Sequence, residues 1–242
     1  MTIFEELGLK FNYLYEILAT TFSLDNKENK IIPNTSCMGI RLIDESTITM
    51  SPYPNTTTLK NLKQNGMITL NFVDDIYLYA LAALKEINST SHFVEFPPEF
   101  YSYYNIEISK LKFNNLPLKN ISFPYLNKSW GVIFSEAHDE KKVIKEDGLG
   151  RVKLSEFILN IVSVEKLKES YKLFNRAENL ALEIILLATR LKIVKENNNK
   201  PLFSEINDKI INYIENIKRF GKNEQAIKAI NLVEEYIRSL ID

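Results

Sequence analysis

The stretch Tyr53-Pro54-Asn55-Thr56-Thr57-Thr58-Leu59-Lys60-Asn61-Leu62 concentrates hydroxyl groups at the point where a helix begins. Thr56 or Thr57 is a natural N-cap, Leu59 and Leu62 share a face, and Gly66 stands where a C′ residue closes a helix. A helix N-terminus carries unpaired N–H groups and the positive end of the helix dipole, so it attracts anions. Threonine hydroxyls there add donors suited to phosphate oxygens. The competing reading is that the threonines only cap the helix.

Other chemistries find less support. The two histidines, His92 and His138, are far apart and neither sits in a nucleophile context. Cys37 is the only cysteine, which removes a disulfide framework and a Cys-based zinc site, and no metal centre is expected. No GxGxxG or Walker-type loop occurs among the seven glycines. The pair Asp74-Asp75 is explained by helix capping. Thirty basic residues against thirty-one acidic ones leave a net charge of -1, so no nucleic acid partner is expected. The most apolar run, Leu180 to Thr189, contains Glu183 and is too short to span a bilayer. With no secretory signal pattern at the N-terminus, the expectation is a soluble, cytoplasmic protein with no membrane partner.

These residues need elements to position them. At 242 residues and 45% apolar content, the chain can build a real core. Met1 to Lys10 reads as a leader that either packs on the domain or frays. Strands are expected over Tyr13 to Phe22, Cys37 to Leu42, Thr47 to Met50, Met67 to Phe72, Tyr103 to Phe113, Trp130 to Ala137 and Val152 to Val164. Loops are expected over Ser23 to Asn34 and Asn114 to Lys128, with a charged turn over Asp139 to Arg151. Gly39 inside its strand suggests a bulge or the close approach of another group, and Arg41 lies two residues on, on the same face. Ile76 to Leu84 is apolar nearly all round, which implies cover from the barrel or from a second subunit.

Many strands at short spacing with two small helices indicate a barrel. After about Leu167 the pattern turns helical, with Asn175 as N-cap and Glu178 at N3, and two further amphipathic helices near Leu202 to Phe220 and Asn223 to Leu240. The division expected is 1–166 for the barrel and 167–242 for a helical domain. Arg176, Glu183 and Arg190 recur every seven residues along one stripe. With Leu180, Ile184, Leu187 and Leu191 around it, Glu183 is expected to be buried and paired with an arginine.

Four blocks carry a family resemblance. Tyr15-Glu16-Ile17-Leu18-Ala19-Thr20-Thr21, Ser36-Cys37-Met38-Gly39-Ile40-Arg41, the threonine stretch with Asn71 and Asp74-Asp75 after it, and Phe174-Asn175-Arg176-Ala177-Glu178 with Ala188-Thr189-Arg190-Leu191 occur in family order. The sequence resembles an uncharacterised prokaryotic family of the flavin-reductase-like, FMN-binding split-barrel superfamily with an appended helical region. The match runs from about Tyr13 to Leu191. The resemblance implies a mainly β split barrel with a C-terminal three-helix region, a homodimer, and FMN in clefts near the dimer interface. It implies Thr56 and Thr58 as phosphate donors and Asn61 as support for their loop. It further implies Thr20, Thr21, Met38 and Gly39 along the flavin, and Arg41 as a charge for phosphate or ring. Asn175 and Arg176 would close the cleft, and His92 would reach the isoalloxazine edge.

The chain departs from the family pattern at Ser36-Cys37, where Ala-Pro is usual, at Asn55, where the family has Gly, and at Leu59, where it has Tyr. Loss of the glycine is expected to tighten the room for phosphate. The reading that follows is an FMN-dependent oxidoreductase of unknown substrate, with a nicotinamide nucleotide or another small molecule as electron donor. No catalytic residue is assigned. The alternatives are a non-catalytic flavin-binding protein and a dimeric interaction module that has lost the cofactor.

Overall fold

In the computed structural model the described residues are 2–25, 30–85, 95–112, 120–147, 150–170, 176–220 and 224–241. The elements run α1 (Ile3–Glu6), β1 (Leu14–Asp25), β2 (Lys30–Leu42), β3 (Thr47–Met50), α2 (Thr57–Asn65), β4 (Met67–Phe72), α3 (Ile76–Ala83), β5 (Tyr101–Glu107), β6 (Asn120–Leu126), β7 (Gly131–Asp147), β8 (Gly150–Lys166), α4 (Arg176–Glu196), α5 (Lys200–Phe220) and α6 (Glu224–Ile241). They cluster into two compact units, Met1–Val73 with Pro97–Ser170, and Asp74–Phe96 with Tyr171–Asp242.

The first unit is a closed antiparallel barrel in the order β1-β2-β3-β8-β7-β4, with β5 and β6 forming a separate two-stranded sheet. Period-2 alternation divides the side chains between two cores. Ile17, Ala19, Ile40, Leu42, Ile48, Met50, Ile68, Leu70, Ile133, Phe157 and Leu159 fill the barrel interior, together with Phe4, Leu7 and Leu9 from the N-terminal segment and Leu62 from α2. Phe22, Met67, Val132 and Phe134 point outward and meet Ile106, Leu111, Ile121 and Phe123 beneath the small sheet. Strand β4 (MITLNF) is buried along its whole length because both of its faces are covered.

Of the two outcomes open to the N-terminal leader, packing is the one observed: α1 has a Thr2/Glu5 capping box, and Phe4 is buried. Several other elements differ from expectation. The first hairpin is longer than its apolar segments, since pairing continues from Phe22↔Pro33 to Asp25↔Lys30. Residues 114–128, expected as a loop, contain β6, which pairs with β5 from Tyr101↔Leu126 to Glu107↔Asn120. Pro124 lies opposite Tyr103, in a two-stranded sheet where each strand has a free edge that tolerates a missing donor. The expected strand Tyr103 to Phe113 ends at Glu107, and a 3₁₀ turn over Ile108–Lys110 follows. The charged turn expected over 139–151 consists mostly of the arms of the β7–β8 hairpin, whose pairing runs out to Asp147↔Gly150. Charged residues suit this ribbon because it extends past the β4 pairing, which stops at Met67↔Glu136.

In the second unit, α3 packs against α4 and α6. The sequence division at 166/167 does not foresee that the segment around α3 joins the C-terminal helices. Its all-round apolar surface is covered within its own chain, so it no longer argues for a second subunit. Glu183 corrects another expectation: it is exposed, as is Arg190, while Ala181, Ile184, Ile185, Ala188 and Leu191 form the buried face of α4. The side chain of Arg176 lies outside the described residues. Glu183→Ala is therefore expected to change stability by well under about 1 kcal/mol, as for other solvated charges. A thermal melt displaced by many degrees would show that Glu183 has a buried partner.

Candidate anion site at the start of helix α2

The local chemistry of α2 follows its sequence. Asn55 takes φ +64° and turns the chain into the helix. Thr56 is the N-cap, its hydroxyl accepting from the Leu59 N–H at 3.3 Å and donating to the Tyr53 carbonyl at 2.9 Å. At the other end Gly66 takes φ +69°, and its N–H bonds the Leu62 carbonyl. The first turn contains no acidic residue, so no carboxylate offsets the positive dipole end. The N–H groups of Thr57 and Thr58 belong to the first turn, where no intrahelical carbonyl can reach them. The side chains of Thr57 and Lys60 are exposed beside them. Asn55 also answers the expected loss of room: asparagine is the side chain that best tolerates the left-handed conformation glycine adopts freely, so this departure keeps the backbone turn.

The buried face of α2 is fixed to the barrel by polar contacts. Thr58, 1% exposed, has its hydroxyl 2.7 Å from that of Ser36 on β2 and accepts from Asn34 Nδ2 at 3.4 Å. Asn61, also buried, donates to the Thr21 hydroxyl on β1 at 3.1 Å. Thr21, Ser36, Thr58 and Asn61 thus come together where α2 meets the barrel strands. Ser36, Cys37, Met38 and Gly39 are half-buried.

The remaining expected residues are placed differently. Thr20 points to the opposite face of β1 from Thr21, and its hydroxyl lies 2.8 Å from that of Thr35 and accepts from Asn71 Nδ2 at 3.0 Å. Met38 packs against the barrel core, whereas Gly39 is its neighbour on the alternate face. The side chains of Thr20 and Thr21 therefore lie on opposite faces of β1, and Gly39 sits on the face of β2 opposite to the Met38 side chain. Gly39 has no bulge: the β1–β2 register is unbroken through Glu16↔Gly39. The group closest to it is the protein's own, since a Cβ there would meet Leu14 Cδ1 at 3.1 Å. Arg41 is exposed and donates from Nη1 to the Asn12 carbonyl at 2.9 Å. His92 and Asn175 lie outside the described residues. Among the described residues no cluster of His, Cys, Asp and Glu could hold a metal ion, and no helix is long and apolar enough to cross a membrane.

Two polar positions were not singled out by sequence as site or core groups. Asn71 is a completely buried amide joining the barrel to the small sheet. Glu136, 1% exposed, accepts from the Lys112 N–H at 2.6 Å. For Asn71 the available signal was one amide within a strand that is otherwise apolar except for Thr69.

Near the C-terminal end of α2, Glu140 on β7 accepts from Lys142 and lies 3.4 Å from Lys63 of α2. Hydrogen bonds from Lys142 and Ser155 bring its carboxyl down from its ordinary 4.5 to about 2. A lowered folded-state pKa gives stability that is present above the unfolded value and lost as pH falls toward the folded one. Wild type is thus expected to lose a small increment between about pH 4.5 and pH 2 that Glu140→Gln lacks. Solvent screening of a side chain that is 28% exposed keeps it below about 1 kcal/mol. Urea midpoints of both proteins across that range, running in parallel, would contradict this.

A six-stranded barrel with a two-stranded sheet and three C-terminal helices defines the class as a split β-barrel with an appended helical region. Residues 15–165 match the family described as Protein of unknown function (DUF447) N-terminal domain, and the chain belongs to that family. It is 26% identical over 230 residues to Uncharacterized protein MJ1453 of Methanocaldococcus jannaschii, covering 93% of this chain and 97% of that one. Its fold is similar to the crystal structure of the FMN-bound protein MM1853 from Methanosarcina mazei, with a TM-score of 0.63 and 17% identity over 96% of this chain and 98% of that chain.

Proposed function

We propose that this protein is an FMN-binding flavoprotein of the oxidoreductase class, with the FMN phosphate held at the N-terminus of α2. The observation that carries the reading is the first turn of that helix: the N–H groups of Thr57 and Thr58 have no intrahelical acceptor, the Thr57 side chain is exposed, and the turn itself holds no carboxylate. This donor set fits a phosphate monoester. It assigns the contacts differently from the sequence expectation, because the Thr56 hydroxyl is engaged in capping and the Thr58 hydroxyl is enclosed against Ser36. A fold similar to that of an FMN-bound member of the same family adds support.

Lys60, exposed at the end of the first turn, adds positive charge near the phosphate. Bound FMN would supply hydride or single-electron transfer, and the chain supplies binding, orientation and electrostatics. A nicotinamide nucleotide is the proposed electron donor, and the family resemblance supports a homodimer.

The expected result is a purified protein with flavin absorption bands that releases FMN on denaturation and is bleached by NADH or NADPH. Bound flavin without bleaching by either nucleotide would favour a non-catalytic flavin carrier. Protein that takes up no FMN at micromolar concentrations would overturn the reading and leave a cofactor-free interaction module.

A further inference from the structure

We infer that Ser36 is a positioning residue for the α2 anion site and that its hydrogen bond with Thr58 sets the preference for a 5′-phosphorylated flavin over riboflavin. The inference rests on the FMN reading above. Thr58 is the second residue of α2, so its own N–H is among the donors that face a phosphate. Its side chain points the other way, is 1% exposed, and meets the Ser36 hydroxyl at 2.7 Å. One residue therefore links the anion-facing end of the helix to the half-buried segment of β2.

Apolar contact alone would not fix this end of the helix. Leu62 seats the second half of the helix in the barrel core, and in the first turn only the half-buried Leu59 packs against that core, a contact with no directional preference. Asn61 is tied to β1 through Thr21, so the tie to β2 comes through Ser36 and Asn34. A hydroxyl pair has a directional minimum that an apolar contact lacks, and it restricts how the first turn can slide along the strand. A one-ångström displacement of N–H donors is enough to weaken their bonds to a phosphate oxygen. Riboflavin lacks the phosphate, so its binding should not sense that displacement.

The test compares FMN and riboflavin affinities by fluorescence titration for wild type, Ser36→Ala, Thr58→Ser and Ser36→Ala/Thr58→Val. Wild type should prefer FMN. Ser36→Ala should lose up to about tenfold in FMN affinity, the scale of one hydrogen bond, with riboflavin affinity unchanged. Thr58→Ser retains the hydroxyl and should keep the preference. The double variant replaces both partners by apolar groups, a change that can be nearly neutral for stability, and it should show the same lowered FMN preference as Ser36→Ala. In the flavin-free protein, amide hydrogen exchange in the first turn of α2 should quicken in Ser36→Ala while β1 amides keep their protection. An unchanged FMN-to-riboflavin ratio in Ser36→Ala, or an equal loss for both flavins, would overturn the positioning role while leaving the FMN reading intact. A wild type that binds riboflavin as well as FMN also overturns it. A wild type that binds neither flavin overturns the FMN reading and this inference together.

Discussion

Asn71→Ala is expected to lower the stability of the protein by about 3–5 kcal/mol, among the largest effects of any single polar substitution. The side chain is fully buried, and its amide is used at both ends. Nδ2 donates to the Leu18 carbonyl at 2.8 Å, to the Thr20 hydroxyl at 3.0 Å and to the Thr69 carbonyl at 3.2 Å, so two hydrogens are shared among three acceptors. Oδ1 accepts from the Leu126 N–H at 2.8 Å and from the Ser129 hydroxyl at 3.4 Å. Alanine leaves these groups in a space too enclosed for solvent to replace the amide, and each buried group left without a partner costs about 1–3 kcal/mol. Asn71→Asp tests the donor end separately: it keeps the shape and the acceptor facing Leu126, but turns a carboxylate oxygen toward the carbonyls of Leu18 and Thr69. It should be at least as damaging as alanine. Urea unfolding would measure both, and an alanine variant within about 1 kcal/mol of wild type would show that the amide is not the clamp described here.

Asn71 also marks where sequence reading stops. Local signals were legible: Thr56 caps α2, Gly66 closes it in the left-handed conformation, and β3 and β4 begin and end where their apolar patterns do. Each of these is decided within a few residues. β6 was not legible, because Pro124 signals a loop locally and only the pairing with β5 makes a strand of the segment. The outer β7–β8 ribbon was hidden in the same way, its charges suiting a turn and an exposed hairpin equally well. For α3 the extent of burial was legible and the covering elements were not, since nothing within the helix distinguishes α4 and α6 from a second subunit. Glu183 was misplaced because flanking leucines on a helix do not say on which side of the buried stripe a charge falls.

The candidate site shows the same limit. The types of residue in the threonine stretch indicated an anion, and the helix start they implied is present. Which hydroxyl faces outward depends on where the strands lie. Thr58, given as a phosphate donor by the family resemblance, turns into the protein to meet Ser36, and the exposed hydroxyl is that of Thr57. For Thr20 and Thr21 the alternation of a strand was enough to say that their side chains diverge. The partners that bury each of them, Thr35 and Asn71 on one face and Asn61 on the other, required the fold.

Phe134→Ala is expected to cost about 3–5 kcal/mol, by an apolar route to the same junction. Phe134 points out of the barrel from β7 and is fully buried beneath the small sheet. Its ring stacks on Tyr104 at 4.8 Å and meets Phe123 and Tyr125 edge-on at 5.7 and 6.3 Å, so residues from β5 and β6 both rest on it. Truncation removes these ring contacts and leaves a cavity whose walls are strands tied by their own ladders, which limits collapse. Phe134→Leu keeps much of the apolar volume and should cost clearly less. The site of the damage can be tested with Asn71: Phe134 pairs with Thr69 on β4, two residues from the amide that holds Leu126. If each substitution loosens the small sheet from the barrel, the double variant Asn71→Ala/Phe134→Ala should lose less than the sum of the two single losses, because the sheet can be released only once. Strict additivity in urea unfolding, with the near-UV signal of Phe134→Ala unchanged, would mean that the two residues stabilise separate parts of the barrel.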